Sequence, residues 1–229
     1  MKKLGVIGGI SWQSSLTYYR MINQGVNRRL GGHHSADLIL WSGDFARNVE
    51  LQDAGQWDQI AANLTEAGRS LAGAGCELLA IASNSAHRHA DEVEDNLGVE
   101  VVSIIDATAR RLGQAGLDTV ALLGTRPTMS ADFYRRRMAD NGVTCLVPDE
   151  ADQDVIQGII FDELVHGEVH DGSRRVLIDV VDTMAERGAE GVVLGCTELG
   201  MLAAEDDFRV PGFDSTSIHV AALIDAMLA

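Results

Sequence analysis

Two short stretches hold the residues best able to do chemistry. Residues 78–87 read L-L-A-I-A-S-N-S-A-H and residues 191–199 read G-V-V-L-G-C-T-E-L. Each is an apolar run that stops at a small nucleophile followed by a polar pair, Ser83 before Asn84-Ser85 and Cys196 before Thr197-Glu198. A thiol ionises near pH ~8.5, and a helix N-terminus lowers that value, so a thiolate at Cys196 is expected near neutrality. Gly195 permits a sharp turn, and Thr197-Glu198 make a polar, capping start to a helix. The bland alternative for a lone cysteine is a small buried hydrophobe. Cys76, inside A-G-A-G-C-E-L-L, and Cys145, inside a short strand, lack polar flanks and are read that way. Ser83 is a much weaker acid than a thiol, and no base adjoins it in the sequence.

Other motifs are weaker. G-V-I-G-G-I at 5–10 resembles a dinucleotide loop without the G-x-G-x-x-G spacing, which argues against a nicotinamide cofactor. His33-His34 and H-R-H at 87–89 lack the i, i+4 pairing and cysteine companions of a metal site, so no metal is expected. His87 either orients a site group or closes the turn. Thr125-Arg126-Pro127-Thr128 is a substrate-holding turn or a helix cap. Arg47, in D-F-A-R-N, supplies positive charge to a site or is an exposed loop arginine.

These residues need elements to position them. Apolar runs at 4–8, 38–42, 78–82, 101–104, 120–123, 143–146, 192–194 and 209–210 read as strands. Amphipathic segments at 14–29, 56–72, from 86, 107–115, after 128, 155–166, 173–187 and 217–228 read as helices. Continuous apolar strands, each followed by a helix, predict a doubly wound α/β fold with parallel strands covered on both faces. Ligands in such sheets bind beyond the carboxyl ends of strands, where helix N-termini present free N–H groups. Gly8-Gly9-Ile10-Ser11, Ser83-Asn84-Ser85, Thr125-Arg126 and Cys196-Thr197-Glu198 all lie at such ends. Ser83 and Cys196 are 113 positions apart, about half the chain, and G-V-I-G-G at 5–9 is echoed by V-A-L-L-G-T at 120–125. The pattern predicts two packed lobes, residues 1–98 with 211–229 and residues 99–210.

Composition bounds the partners. The 229 residues carry a net charge of −16, which argues against nucleic acid and against anionic membrane surfaces. Three widely spaced cysteines without C-x-x-C fit a reduced, cytoplasmic setting. The opening M-K-K-L-G-V-I-G-G-I-S-W has too short an apolar part for a secretion signal, and no run is long enough to span a bilayer. A soluble protein is expected.

With these residues in hand, the chain resembles the aspartate/glutamate racemase superfamily along essentially its whole length. The motifs that carry the resemblance are G-V-I-G-G-I-S-W-Q-S-S-L-T-Y-Y, S-N-S-A-H, L-L-G-T-R-P-T-M, G-C-T-E-L and F-D-S-T-S-I-H. G-G-I-S-W-Q-S-S, R-L-G-G-H-H-S-A and Q-W-D look most like its broad-specificity, L-aspartate/glutamate branch. The resemblance implies two pseudo-symmetric lobes with the active site in the cleft between them, a homodimer, no cofactor, and a small amino-acid substrate. Two cysteines then work on opposite faces of the α-carbon, one removing a proton and one returning it. By this likeness Cys196 is one of the pair, and Ser83 stands where the other cysteine would be. Asn84, Ser85, Thr197 and Glu198 match positions that hold the substrate, Ile10 and Ser11 fall in the first-strand loop, and Arg47 and Gln52 in the loop after strand two. Thr125 joins them as the turn that ends the 120–123 strand. The basic residue many members carry near the end of the 155–166 helix is replaced by V-H-G, so the usual side-chain carboxylate clamp is not in its place.

A serine opposite a cysteine predicts asymmetric catalysis, with efficient abstraction from one enantiomer and slow reaction of the other. Two other functions stay open. An arylmalonate-type decarboxylase works with a single cysteine but needs an apolar pocket beside the reacting carbon. A degenerate member would bind an acidic amino acid without turning it over.

Overall fold

A computed structural model describes residues 1–229. The chain divides into two compact units, Met1–Ser103 with His219–Ala229, and Ile104–Ile218.

The first unit contains β1 (Leu4–Gly8), α1 (Trp12–Leu30), β2 (Leu38–Ser42), α2 (Phe45–Asp53), α3 (Trp57–Gly73), β3 (Leu78–Ile81) and α4 (Ala90–Leu97). Its strands pair in parallel in the order β2-β1-β3. The alternation along the strands explains why the runs are apolar throughout. Leu4, Val6, Leu78 and Ala80 join one core with Tyr18, Ile22 and Val26 of α1. Ile7, Leu79 and Ile81 join the opposite core with Ile60, Leu64, Ala67 and Leu71 of α3. A strand with a period of two and a helix layer on each side must be apolar at every position.

The second unit contains α5 (Ile104–Ala115), β4 (Thr119–Gly124), α6 (Arg126–Ser130), α7 (Asp132–Asp140), β5 (Thr144–Leu146), α8 (Glu150–Gly158), α9 (Asp171–Glu186), β6 (Val192–Gly195), α10 (Leu199–Leu202) and β7 (Gly212–Asp214). Its parallel sheet has the order β5-β4-β6-β7. The strand order of the first unit is thus repeated, with β7 added at one edge. Ala121, Leu123, Val192 and Leu194 face one core, and Val120, Leu122 and Val193 the other. The last helix, α11 (Ser215–Leu228), begins in the second unit and enters the first at His219.

Several elements differ from the sequence reading. The strand expected at 101–104 is a single bridge between Val101 and Leu79, after which α5 starts at Ile104. Ile104 and Ile105 are buried in the second unit's core, and a short apolar run does not distinguish a strand from the apolar start of a helix. The strand expected at 209–210 lies instead at Gly212–Asp214, while Arg209 pairs with Asp182 and Glu186. Because β7 pairs with β6, the chain returns to the first unit at His219 rather than at 211. The helix expected at 155–166 is α8, followed by a π-helical turn at Ile159–Glu163 and a 3-10 turn at Leu164–His166.

Candidate active site

At the carboxyl edge of the first sheet, the loop after β1 is tied to the start of α1. The backbone N–H of Gly9 donates to Ser15 Oγ (2.8 Å), and Ser15 Oγ donates to the Ser11 carbonyl (3.0 Å). Ser11 is the N-cap of α1, its Oγ accepting from the Ser14 backbone N–H at 3.2 Å. The hydroxyl singled out as a substrate contact is therefore engaged in a helix start. Gly9 has φ +78°, and a Cβ there would lie 2.2 Å from the backbone N of Gly43, so only glycine lets the β1 and β2 loops approach this closely.

Arg47 and Gln52 do not lie in a loop, as expected, but on helix α2, capped by Asp44, whose carboxylate accepts from the Ala46 N–H. Asp44 ahead of F-A-R-N-V-E-L is an N-cap signal that the sequence reading did not use. Arg47 lines a pocket of ≈ 260 Å³ together with Gly9, Ile10, Trp41, Asp44, Asn48, Ile60, Asn63 and Leu64. Gln52 is not in its lining. Asn48, which the sequence reading passed over, brings a buried Nδ2 with no hydrogen-bond partner. The pocket's carboxylates are engaged elsewhere, Asp44 as a cap and Glu66 with Arg69. Arg47, the unpartnered Asn48 amide and the Asn63 amide offer donors to this pocket, which suits an acceptor group on a partly apolar body.

After β3, Ser83 and Asn84 are buried and Ser85 is half-buried. The Ser83 and Ser85 hydroxyls are 3.2 Å apart, and the Ala86 N–H donates to Ser83 Oγ at 3.4 Å. Residues Ser85–His89 form a 3-10 turn, so this strand ends in a tight turn rather than directly in a long helix.

In the second unit, Cys196 closes β6 and is 8% exposed. Its Sγ donates to Glu198 Oε2 at 3.1 Å. The expectation of a readily formed thiolate is overturned. Burial pushes the Cys196 thiol well above its usual value, and the Glu198 carboxylate raises it further through charge and the hydrogen bond. Backbone N–H groups of Glu198 and Leu199 pull the other way and lose, because the helix behind them, α10, has four residues and little dipole. Cys196 is held as a thiol with its proton already directed at a buried carboxylate.

The close approach of β4 and β6 sets this loop. Gly124 and Gly195 are register partners, and a Cβ on Gly195 would meet the Leu123 carbonyl oxygen at 2.8 Å. Thr125 N-caps α6, and its hydroxyl lies 3.3 Å from that of Thr128. Arg126 pairs with Asp154, and its backbone N–H donates to Gln157 Oε1, which ties α6 to α8. Thr125 thus stands at the N-cap position without a side-chain cap hydrogen bond. Thr197 is half-buried beside Cys196. Cys76 and Cys145 are also raised by burial, Cys145 to about 12.

Two parallel sheets with polar loops at their carboxyl strand ends define an α/β protein of the class in which such ends are the usual place for a ligand. The chain belongs to the Asp/Glu/Hydantoin racemase family, whose model matches residues 7–223. It is similar over its full length to a solved Yersinia pestis protein provisionally described as an Asp/Glu racemase, with 42% identity, 100% of both chains covered and a TM-score of 0.93. An aspartate racemase homologue from Pyrococcus horikoshii is 35% identical, again with 100% of both chains covered, at a TM-score of 0.86. The broad-specificity amino-acid racemase RacX of Bacillus subtilis is 22% identical over 75% of this chain and 74% of its own length. Glutamate racemase from Francisella tularensis, solved with D-glutamate, shares the fold at 15% identity and a TM-score of 0.72, covering 99% of this chain and 81% of its own.

Proposed function

We propose that the protein is a cofactor-independent racemase of acidic amino acids, aspartate or glutamate, in which Cys196 with Glu198 works on one side of the α-carbon and Ser83 on the other. The observation that carries this reading is the Cys196–Glu198 hydrogen bond in a family-matched G-C-T-E-L loop. Passing the thiol proton to the Glu198 carboxylate leaves a thiolate able to take the α-hydrogen as a proton. The electron pair moves into an enolate-like carbanion. Ser83 Oγ–H protonates it from the other side and is reprotonated through the Ser85 hydroxyl, 3.2 Å away, and then from solvent, while Glu198 returns the thiol's original proton to solvent and the cycle closes. Asn84 and Thr197 hold the substrate's carboxylate and amino group. Arg47 and Asn48 take the side-chain carboxylate, in the role left vacant by V-H-G at 165–167. A homodimer in the cytoplasm is part of the same proposal. A decarboxylase of the arylmalonate type fits less well, because the groups around Ser83 are hydroxyls and an amide rather than an apolar pocket.

The equilibrium constant of racemisation is one, so kcat/KM must be equal in both directions. The inequality of the two faces therefore appears in solvent exchange. The enantiomer whose α-hydrogen faces Cys196 should pick up deuterium from deuterium oxide faster than it inverts, and its mirror image should not. Chiral analysis with mass readout over an amino-acid panel tests this. Equal exchange-to-inversion ratios for both enantiomers would sink the Ser/Cys assignment, and no exchange with any amino acid would sink the racemase reading.

A further inference from the structure

Behind the Ser83 loop lies a buried chain of rings that the proposed chemistry does not use. His87 Nδ1 is 2.6 Å from the Ser83 carbonyl oxygen, and the His87 ring stands edge-on to His219, with centroids 5.4 Å apart and planes at 79°. His219 Nε2 is 2.8 Å from the Val102 carbonyl oxygen, and His219 Nδ1 is 2.8 Å from the Tyr18 hydroxyl. His87, His219 and Tyr18 are all buried, His219 and Tyr18 completely.

The acceptors fix the protons. A carbonyl oxygen only accepts, so His219 carries its proton on Nε2, and its Nδ1 accepts from the Tyr18 O–H. The same logic places a proton on His87 Nδ1, donated to Ser83. His219 is neutral, its pKa lowered to about 3 chiefly by burial and next by His87. His87 is therefore packed against a rigid neutral ring anchored from α11 to α1, and its N–H holds the carbonyl of the very residue whose hydroxyl is the unequal partner of Cys196. In a trans peptide the carbonyl and the next N–H point in opposite directions. Fixing the Ser83 carbonyl toward His87 turns the Asn84 N–H away from it and sets the plane from which Ser83 Oγ projects.

We propose that His87 is a positioning residue, acting through its Nδ1–H on the Ser83–Asn84 peptide plane and not as an acid or base. This rests on the racemase reading for its functional consequence, but its geometry is testable without turnover. In protein labelled with nitrogen-15 histidine, NMR should show His87 as the Nδ1–H tautomer with a slowly exchanging ring proton. An Nε2–H tautomer overturns the proposal even if the enzyme is active. For function, His87→Asn keeps an N–H donor close to the Nδ1 position, whereas His87→Ala removes it.

With folding checked by thermal melting, His87→Ala should slow inversion about ten- to a hundredfold, as expected for a misplaced reacting group. The loss should fall on kcat with KM little changed. Deuterium exchange on the Cys196 side should stay within about threefold of wild type, so its ratio to inversion rises. His87→Asn should recover most of the inversion rate. If His87→Asn is as slow as His87→Ala although both are folded, His87 acts as a proton carrier and the proposal fails. If neither variant changes the exchange-to-inversion ratio, the ring is a structural filler and the proposal fails as well. Absence of exchange in the wild type fails the racemase reading alone, and the tautomer measurement still decides the positioning.

Discussion

At the scale of single residues, Cys196 and Glu198 are one unit. The sequence placed a nucleophile at 196 and a polar neighbour at 198, but read the neighbour as a substrate contact and the cysteine as easily ionised. The reading of easy ionisation failed, because the Glu198 side chain turns back onto the buried thiol. Burial and the direction of a side chain two residues away are three-dimensional facts, and a strand-to-turn junction turns residue i+2 back toward residue i. Replacing Glu198 with Gln removes the charge and the charged acceptor that hold the thiol protonated. The Cys196 pKa should then fall, and thiolate ultraviolet absorbance should rise at lower pH than in the wild type. The inversion rate should drop nonetheless, on the order of a hundredfold, because the proton acceptor is lost. A thiol pKa that rises or stays constant in Glu198→Gln would remove Glu198 from the account. At Arg47 the expected outcome is different. Arg47→Ala should leave the melting temperature nearly unchanged, within about 0.5 kcal/mol of stability, and raise KM for dicarboxylic substrates more than for alanine.

At the scale of elements, much was legible. The strands at 4–8 and 78–81 follow the apolar runs closely because they are buried along their whole length, and the edge strand at 38–42 follows its run although Trp41 and Ser42 are exposed. What was not legible were the places where one apolar run serves two purposes. V-V-S-I-I at 101–105 supplies a bridge partner to Leu79 and then two buried helix residues of the other unit. Helix α2 escaped notice because it buries no residue completely, so no apolar period announces it. The caps give clean tests. Ser11→Ala removes the α1 cap and should cost about 1 kcal/mol by denaturant midpoint, regardless of any effect on turnover. Gly195→Ala pushes a Cβ to 2.8 Å from the Leu123 carbonyl and should cost about 3 kcal/mol, whereas a loss under about 1 kcal/mol would mean that β4 and β6 can separate freely.

At the scale of the whole molecule, titration should act unevenly on the two units. His219 is neutral in the folded first unit, with its pKa lowered to about 3, and His89 is lowered by burial as well. The unfolded chain binds protons at these histidines below pH ~6.5, so their contribution to stability is present above that value and shrinks as pH falls toward 3. For His219 alone the loss should reach roughly 3 kcal/mol by pH ~4. In the second unit Asp214 has a raised pKa through burial and so favours folding as pH falls, while the contribution of Asp106, held low by its Arg137 hydrogen bond, is lost, so the two offset in part. Hydrogen exchange followed from pH 7 to 4 should show amides of β1 and β3 opening before those of β4 and β6. The reverse order would mean that the buried histidines do not govern acid stability.

The route of α11 also decides the order in which the parts can be completed during synthesis. Val220, Leu223, Ile224 and Met227 fill the core of β1, β3 and α1, and the Lys2 N–H donates to the Met227 carbonyl. Residues 1–103 therefore lack one wall of their core until residues 219–229 emerge from the ribosome. Residues 104–218, made later, contain their whole sheet and both of its cores. The second half can thus be finished before the first. The nascent first half must wait with Leu4, Val6, Tyr18 and Ile22 only partly covered, and in that interval it presents an apolar surface to chaperones.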